Sequence, residues 1–164
     1  MPSIPTCRPS PVGRTHLPRR RRGVTLVELM VGVTLAGVLA AIAYPSYQAQ
    51  IARGRVVQAV NDIGELSIQL ERYFTEKGKF PPSLAAAGLA RNDPWGNAYQ
   101  YLNMDGAKVG QVRKDKSLHP LNTDYDLYSK GADGASATPL TAKASHDDII
   151  RGNNGGFIGL AEKY

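Results

Sequence analysis

Residues Arg19–Pro45 read RRRRGVTLVELMVGVTLAGVLAAIAYP, and the rest of the chain is organised around them. From Val24 to Tyr44 the run is mostly apolar and holds a single acid, Glu28. As a helix rising about 1.5 Å per residue it spans roughly 31 Å, the thickness of a bilayer's hydrocarbon core. A buried helix in a water-soluble protein is rarely this long and this apolar, so the run predicts a membrane-spanning helix. Arg19–Arg22 stand on one side of it and no basic residue follows at once on the other. The positive-inside rule then places residues 1–23 in the cytoplasm and the C-terminal part across the membrane.

Glu28 is the informative residue. An ionisable group within a spanning helix costs a few kcal/mol unless it snorkels or is paired. It lies about one turn from the charged edge, so snorkelling is one reading. The other needs a cation. A chain cut after Gly23 would start with the free amine of Val24, and in a bundle of identical helices that amine would pair with Glu28 of a neighbour. Such a pair contributes register and specificity more surely than stability.

A glycine after basic residues, an apolar helix with Glu as its fifth residue, and a proline just past its end together resemble the prepilin signature of the type IV pilin and pseudopilin superfamily. The matching residues are Gly23, Val24, Thr25, Leu26, Glu28, Leu29 and Pro45. The resemblance implies cleavage between Gly23 and Val24 by a prepilin peptidase, N-methylation of Val24, and retention of the helix for assembly, with Glu28 and Pro45 as assembly residues. In that family the first mature residue is usually Phe or Met, and here it is Val24. A rival reading is a secretory signal, since Ala41-Ile42-Ala43 fits the small-x-small cleavage pattern. The length of the apolar run and Glu28 speak against it.

Bulk charge misleads. The chain is formally +6, but residues 1–23 hold six arginines and no acid. Without them, 14 basic residues face 14 acidic ones, and no nucleic-acid binding through bulk charge is expected. Residues 1–18, rich in Pro, Ser and Arg, read as disordered. The one cysteine, Cys7, lies in this N-terminal stretch, so a mature chain has no disulfide. Many type IV pilins staple their C-terminal region with one.

Beyond the membrane, Ala52, Val56, Ala59, Ile63, Leu66, Leu70 and Tyr73 form one helical stripe of alternating three- and four-residue steps. Gly78 is the predicted stop, and Pro81-Pro82 ends any helix. Within the span, Gly32, Ala36 and Ala40 recur every four residues. Small residues at that spacing permit close helix approach, and they are also simply common in spanning helices.

From Phe80 the texture changes to short segments and turns. Ser83–Ala90 reads as a short helix or loop, and Asn92–Asn97 as a turn. Ala98–Leu102 reads as a strand, Lys108–Val112 as its hairpin partner, and Asp124–Ser129 as a further strand with Tyr125, Leu127 and Ser129 on one face. The tail from Lys130 reads as loop. Trp95 reads as cover for the sheet edge, and His119 and His146 as surface residues. No nucleophile, phosphate loop or catalytic constellation is present, so no enzyme is expected.

Asp93–Asn97, Tyr99, Tyr101, Tyr125–Ser129, Gly131–Gly134 and Asp147-Asp148-Ile149 resemble the major pseudopilin of type II secretion. That branch binds calcium through its C-terminal loop. The resemblance implies ligands at Lys130 (its carbonyl), Asp133, Asp147 and Asp148, and calcium's taste for six to eight oxygens on a flexible loop suits them. The alternative is that these aspartates only form turns. Two departures stand out: a longer segment between Asp133 and Asp147, and Ile150-Arg151-Gly152 where the family has Asn-Trp after the Asp-Ile.

The expectation is an α+β pilin-like fold in four parts: a leader at 1–23, a transmembrane assembly helix at 24–45, its outer half at 46–78, and a periplasmic globular region at 79–164. The expected role is a structural subunit of a pilus-like filament in the bacterial inner membrane, most closely a type II secretion pseudopilus. Expected partners are itself or other pilin-like subunits, the prepilin peptidase and methylase, and the inner-membrane assembly platform. The alternatives are a minor type IV pilin and a membrane-anchored periplasmic binding module that never assembles.

Overall fold

The computed structural model describes residues 23–108 and 110–164. Residues 1–22, which carry Cys7 and all but Gly23 of the expected leader, lie outside the described residues, as does Val109. The chain divides into two compact units, one ending at Ala43 and one running from Tyr44 to Tyr164. One helix, α1, covers Leu26–Lys77 and belongs to both.

In the first unit every described residue is exposed. Val24, Leu26, Leu35 and Ile42 each leave more than half of their surface uncovered. Among the described residues, α1 is the one helix long and apolar enough to cross a membrane. Apolar side chains bare on every face are stable in lipid or against other apolar helices, not in water.

In the second unit the outer part of α1 packs on a four-stranded antiparallel sheet. The strands are β1 Gln100–Asn103, β2 Tyr125–Ser129, β3 Ile149–Gly152 and β4 Phe157–Leu160, in that spatial order. The predicted stripe supplies the packing face. Ala59, Ile63, Leu66 and Leu70 are buried against Leu84, Tyr99, Tyr125, Leu127 and Ile149, while Ala52, nearer the start of the stripe, stays exposed. The helix stops where expected: Gly78 takes φ 70° and donates its N–H to the Phe74 carbonyl over 2.7 Å. The other face of the sheet is covered by loops carrying Leu121 and Leu140, which pack with Ile150 and Ala161.

Two strand expectations are corrected. Lys108–Val112 is not the partner of β1; β1 pairs directly with β2, Tyr101 opposite Leu127 and Asn103 opposite Tyr125. At Gly110-Gln111 the chain turns instead, with Gln111 donating its N–H to the Lys108 carbonyl and Val112 buried from a loop. With Gly110 in its middle, that segment has too few residues that favour a pleated surface. The tail, read as loop, holds the β3–β4 hairpin. Asn153 and Asn154 at φ 56° and 53°, then Gly155 at 91°, make its connection. Asn and Gly are the residues that tolerate this backbone.

The turn at 92–97 is a junction. Asp93 Oδ1 accepts the N–H groups of Trp95 and Asn97, and its Oδ2 accepts the Ser129 hydroxyl. Trp95 is half-buried against the core. Next to it, the Tyr99 hydroxyl donates to Asp62 on α1 over 2.9 Å. Burial and the neighbouring Asp62 carboxylate push this phenol well above its ordinary range. Tyr99→Phe removes one neutral-to-charged hydrogen bond and keeps the packing, so it should lower stability by about 1.5–3 kcal/mol in urea unfolding of the detergent-solubilised chain.

Candidate functional site

The N-terminal site is built by local chemistry. Thr25 caps α1: its carbonyl accepts the Leu29 N–H at 3.1 Å, and its hydroxyl accepts the Glu28 N–H at 3.2 Å. Thr25 and Glu28 thus stand in the Thr-x-x-Glu spacing of a capping box. Glu28 sits in the first turn, where the helix's positive end favours a carboxylate. Among the described residues its carboxylate has no hydrogen-bond or ion-pair partner. Val24, whose nitrogen would be the mature amine, is exposed. A Cβ added at Gly23 would meet nothing within 4 Å, so packing among the described residues does not call for glycine there. Pro45 lies inside α1, where its ring nitrogen cannot donate to the carbonyl one turn back.

The C-terminal site is built by side chains reaching across loops. Asp147 Oδ2 accepts the N–H groups of Ala132 and Asp133 at 2.8 and 3.1 Å. Asp133 Oδ1 accepts the Ala135 N–H at 2.8 Å. Asn97 donates to the Gly131 carbonyl. Lys130 is half-buried beside them. The structure therefore brings Asp133 and Asp147 into one loop, with each carboxylate engaged by backbone amides.

Asp148 faces elsewhere. It is fully buried, and its Oδ2 accepts Arg113 Nη2 at 2.7 Å and the Ser136 hydroxyl at 2.6 Å. Burial raises its carboxyl above the ordinary carboxylate range, opposed by the Ser136 hydroxyl and the Arg113 guanidinium. As a calcium ligand Asp148 fits poorly, because a divalent ion on this carboxylate would sit against a fixed guanidinium. No group of three or more His, Cys, Asp or Glu is placed to hold a metal among the described residues. His146 and His119 are exposed, the latter 3.7 Å from Asp115.

Sequence reasoning missed two arginines. Arg113 was assigned no role, yet it is 2% exposed and lies over the Tyr128 ring at 4.2 Å. Arg151, noted only as a departure from the family, forks onto Asp124 through both terminal nitrogens at 2.8 and 2.7 Å and stacks over Tyr125 at 4.0 Å. The signal for Arg151 was its place next to Ile149-Ile150, where a buried strand leaves an arginine in need of a carboxylate. Arg113 had no such signal.

An apolar helical segment bare on every face, with one first-turn acid, and a helix-on-sheet unit whose loops are pinned by polar side chains define an α+β protein with, among the described residues, one helix long and apolar enough to cross a membrane. The comparisons with known proteins agree. Residues 18–44 match the family described as the prokaryotic N-terminal methylation motif. A fimbrial protein of Neisseria meningitidis serogroup A is 34% identical over 120 residues, covering 70% of this chain and 69% of that protein. Type II secretion system core protein G of Pseudomonas aeruginosa is 29% identical over 138 residues, 71% of this chain and 87% of that protein. Fimbrial protein EcpC of Eikenella corrodens is 41% identical over 70 residues, just 46% of its own length. No solved structure matches the chain significantly. The chain belongs to the type IV pilin and pseudopilin superfamily.

Proposed function

We propose that the protein is a structural subunit of a pilus-like filament, the pseudopilus of a type II secretion system. The observation that carries this reading is the combination of a first unit bare on every side with a lone first-turn acid at Glu28. Such a helix is unfinished alone and is completed by copies of itself. The similarity to core protein G, which extends over 87% of that protein, favours the secretion branch.

In this reading a prepilin peptidase cuts between Gly23 and Val24 at the cytoplasmic face of the inner membrane, and a methylase modifies the new Val24 amine. The helix stays in the bilayer with the Tyr44–Tyr164 unit in the periplasm. An inner-membrane platform then moves subunits into the filament. The work is assembly, and no residue is assigned catalysis.

The second reading is a minor type IV pilin, favoured by the fimbrial relative at 34% identity. Clean deletion of the gene, scored together for secreted exoproteins and for surface pili with twitching motility, separates the two. Lost secretion with intact pili is the expected result. Lost pili with normal secretion gives the second reading. If both are normal and cysteine pairs placed along residues 24–44 form no crosslinks in membranes, the protein is a non-assembling anchored module.

A further inference from the structure

We propose that the Arg113 guanidinium is the resident cation of the C-terminal loop, closing by ion pair what the family resemblance assigns to calcium, so that this protein folds without metal. The inference concerns the Tyr44–Tyr164 unit and stands for either kind of filament.

The first argument is connectivity. Arg113 lies on the loop between β1 and β2, while Ser136 and Asp148 lie on the long segment between β2 and β3. The contacts join residues 23 and 35 positions apart. Nη1 donates to the Ser136 hydroxyl, Nη2 donates to Asp148 Oδ2, and the Ser136 hydroxyl donates to the same Oδ2. These three groups form a closed ring. The main chain is fixed too, since the Arg113 N–H donates to Asp126 Oδ2 on β2 at 2.7 Å. One cation thus ties the β1–β2 loop, strand β2 and both ends of the Ser136–Asp148 segment, which is what a bound ion would do.

The second argument is burial and charge. Arg113 is 2% exposed and Asp148 0%. A buried carboxylate needs a counter-charge, and a planar guanidinium over the Tyr128 ring supplies one with fixed donors. A calcium ion requires oxygens at about 2.3–2.6 Å. On Asp148 it would stand beside a guanidinium already at 2.7 Å. Asp133 and Asp147 each have one carboxylate oxygen, Oδ1 and Oδ2 respectively, taken by backbone amides. Arg151 on Asp124 repeats the device between β3 and the start of β2. One atom argues for an ion: Asp148 Oδ1 is buried without a hydrogen-bond partner.

The test is thermal unfolding of the full chain in detergent micelles, with calcium and with excess chelator, alongside equilibrium dialysis against calcium alone. The expected result is the same Tm in both and no bound calcium. Arg113→Met, which leaves Asp148 buried and unpaired, should lower Tm by roughly 10 °C or more. Arg113→Lys, which keeps the charge and loses the fork, should fall between them and serves if the Met variant does not fold. A wild-type Tm that drops in chelator and recovers with calcium overturns the proposal, because a bound ion stabilises the folded state it binds. So does an Arg113→Met variant that melts with the wild type.

Discussion

Glu28→Ala should leave the chain cleaved, anchored and folded, yet abolish its incorporation into filaments. Replacing an acid in a spanning helix by alanine removes a desolvation cost of a few kcal/mol, so insertion of the single subunit becomes easier. The fold of the Tyr44–Tyr164 unit does not involve residue 28. The local cap survives as well, because Thr25 bonds the backbone N–H of residue 28 and not its carboxylate. In the proposed filament, what the substitution removes is the acid that would pair with a neighbour's Val24 amine. Leaving one partner of a buried, hydrogen-bonded charge pair alone costs about 2–5 kcal/mol, roughly 30-fold to several thousand-fold in association. That penalty recurs at every subunit added. Glu28→Gln keeps the size and loses the charge, and it should fail in the same way. The readout is crosslinking between cysteines along residues 24–44 in membranes, with leader removal scored by gel mobility. Normal crosslinking of the Ala variant would sink the pairing role and return Glu28 to a snorkelling helix-end acid.

The parts of this protein legible in its sequence are those where one period governs one element. The three- and four-residue steps from Val56 to Leu70 placed the buried face of α1, because a helix on a sheet has one face to hide. Tyr125, Leu127 and Ser129 fell on one face of β2 because a strand alternates. The sheet edges were less legible. Gly152–Gly156 carries so many turn residues that the strands on either side, each of four residues, were absorbed into a loop. The pairing of β1 is not legible because contact between Tyr101 and Leu127 spans the whole 104–124 segment, and closing a shorter loop onto a nearer partner costs less entropy.

The C-terminal site was half legible for a different reason. Carboxylates at 133, 147 and 148 mark a place where charge is concentrated, and the resemblance implies calcium there, which says nothing of the ion pair made by Asp148. Its partner was a guanidinium 35 residues away. No periodicity links Arg113 to Asp148, and charged residues are expected outside, so only the folded backbone brings the pair together.

Gly131→Ala should destabilise the folded domain far more than Gly134→Ala, although both glycines adopt left-handed backbone at φ 65° and 67°. That conformation alone costs a residue with a Cβ about 1–2 kcal/mol. The surroundings differ. The nearest atoms to a Cβ at Gly134 belong to the Asn97 side-chain amide, the closest at 3.3 Å, and this amide can shift at the cost of its long 3.4 Å hydrogen bond to the Gly131 carbonyl. A Cβ at Gly131 would lie 2.3 Å from the backbone carbonyl oxygen of Asp147 and 2.6 Å from its carboxylate. The carboxylate cannot retreat without dropping the amides of Ala132 and Asp133. The carbonyl cannot retreat because the next residue is Asp148, held by Arg113. Overpacking adds about 1–3 kcal/mol to the backbone strain, for a total of roughly 2–5 kcal/mol at Gly131 against about 1–2 at Gly134. Urea unfolding of the two variants in detergent micelles measures the difference directly. Equal losses would mean that the Asp147 segment yields freely, and the pinned loop on which the Arg113 clamp acts would not exist as described.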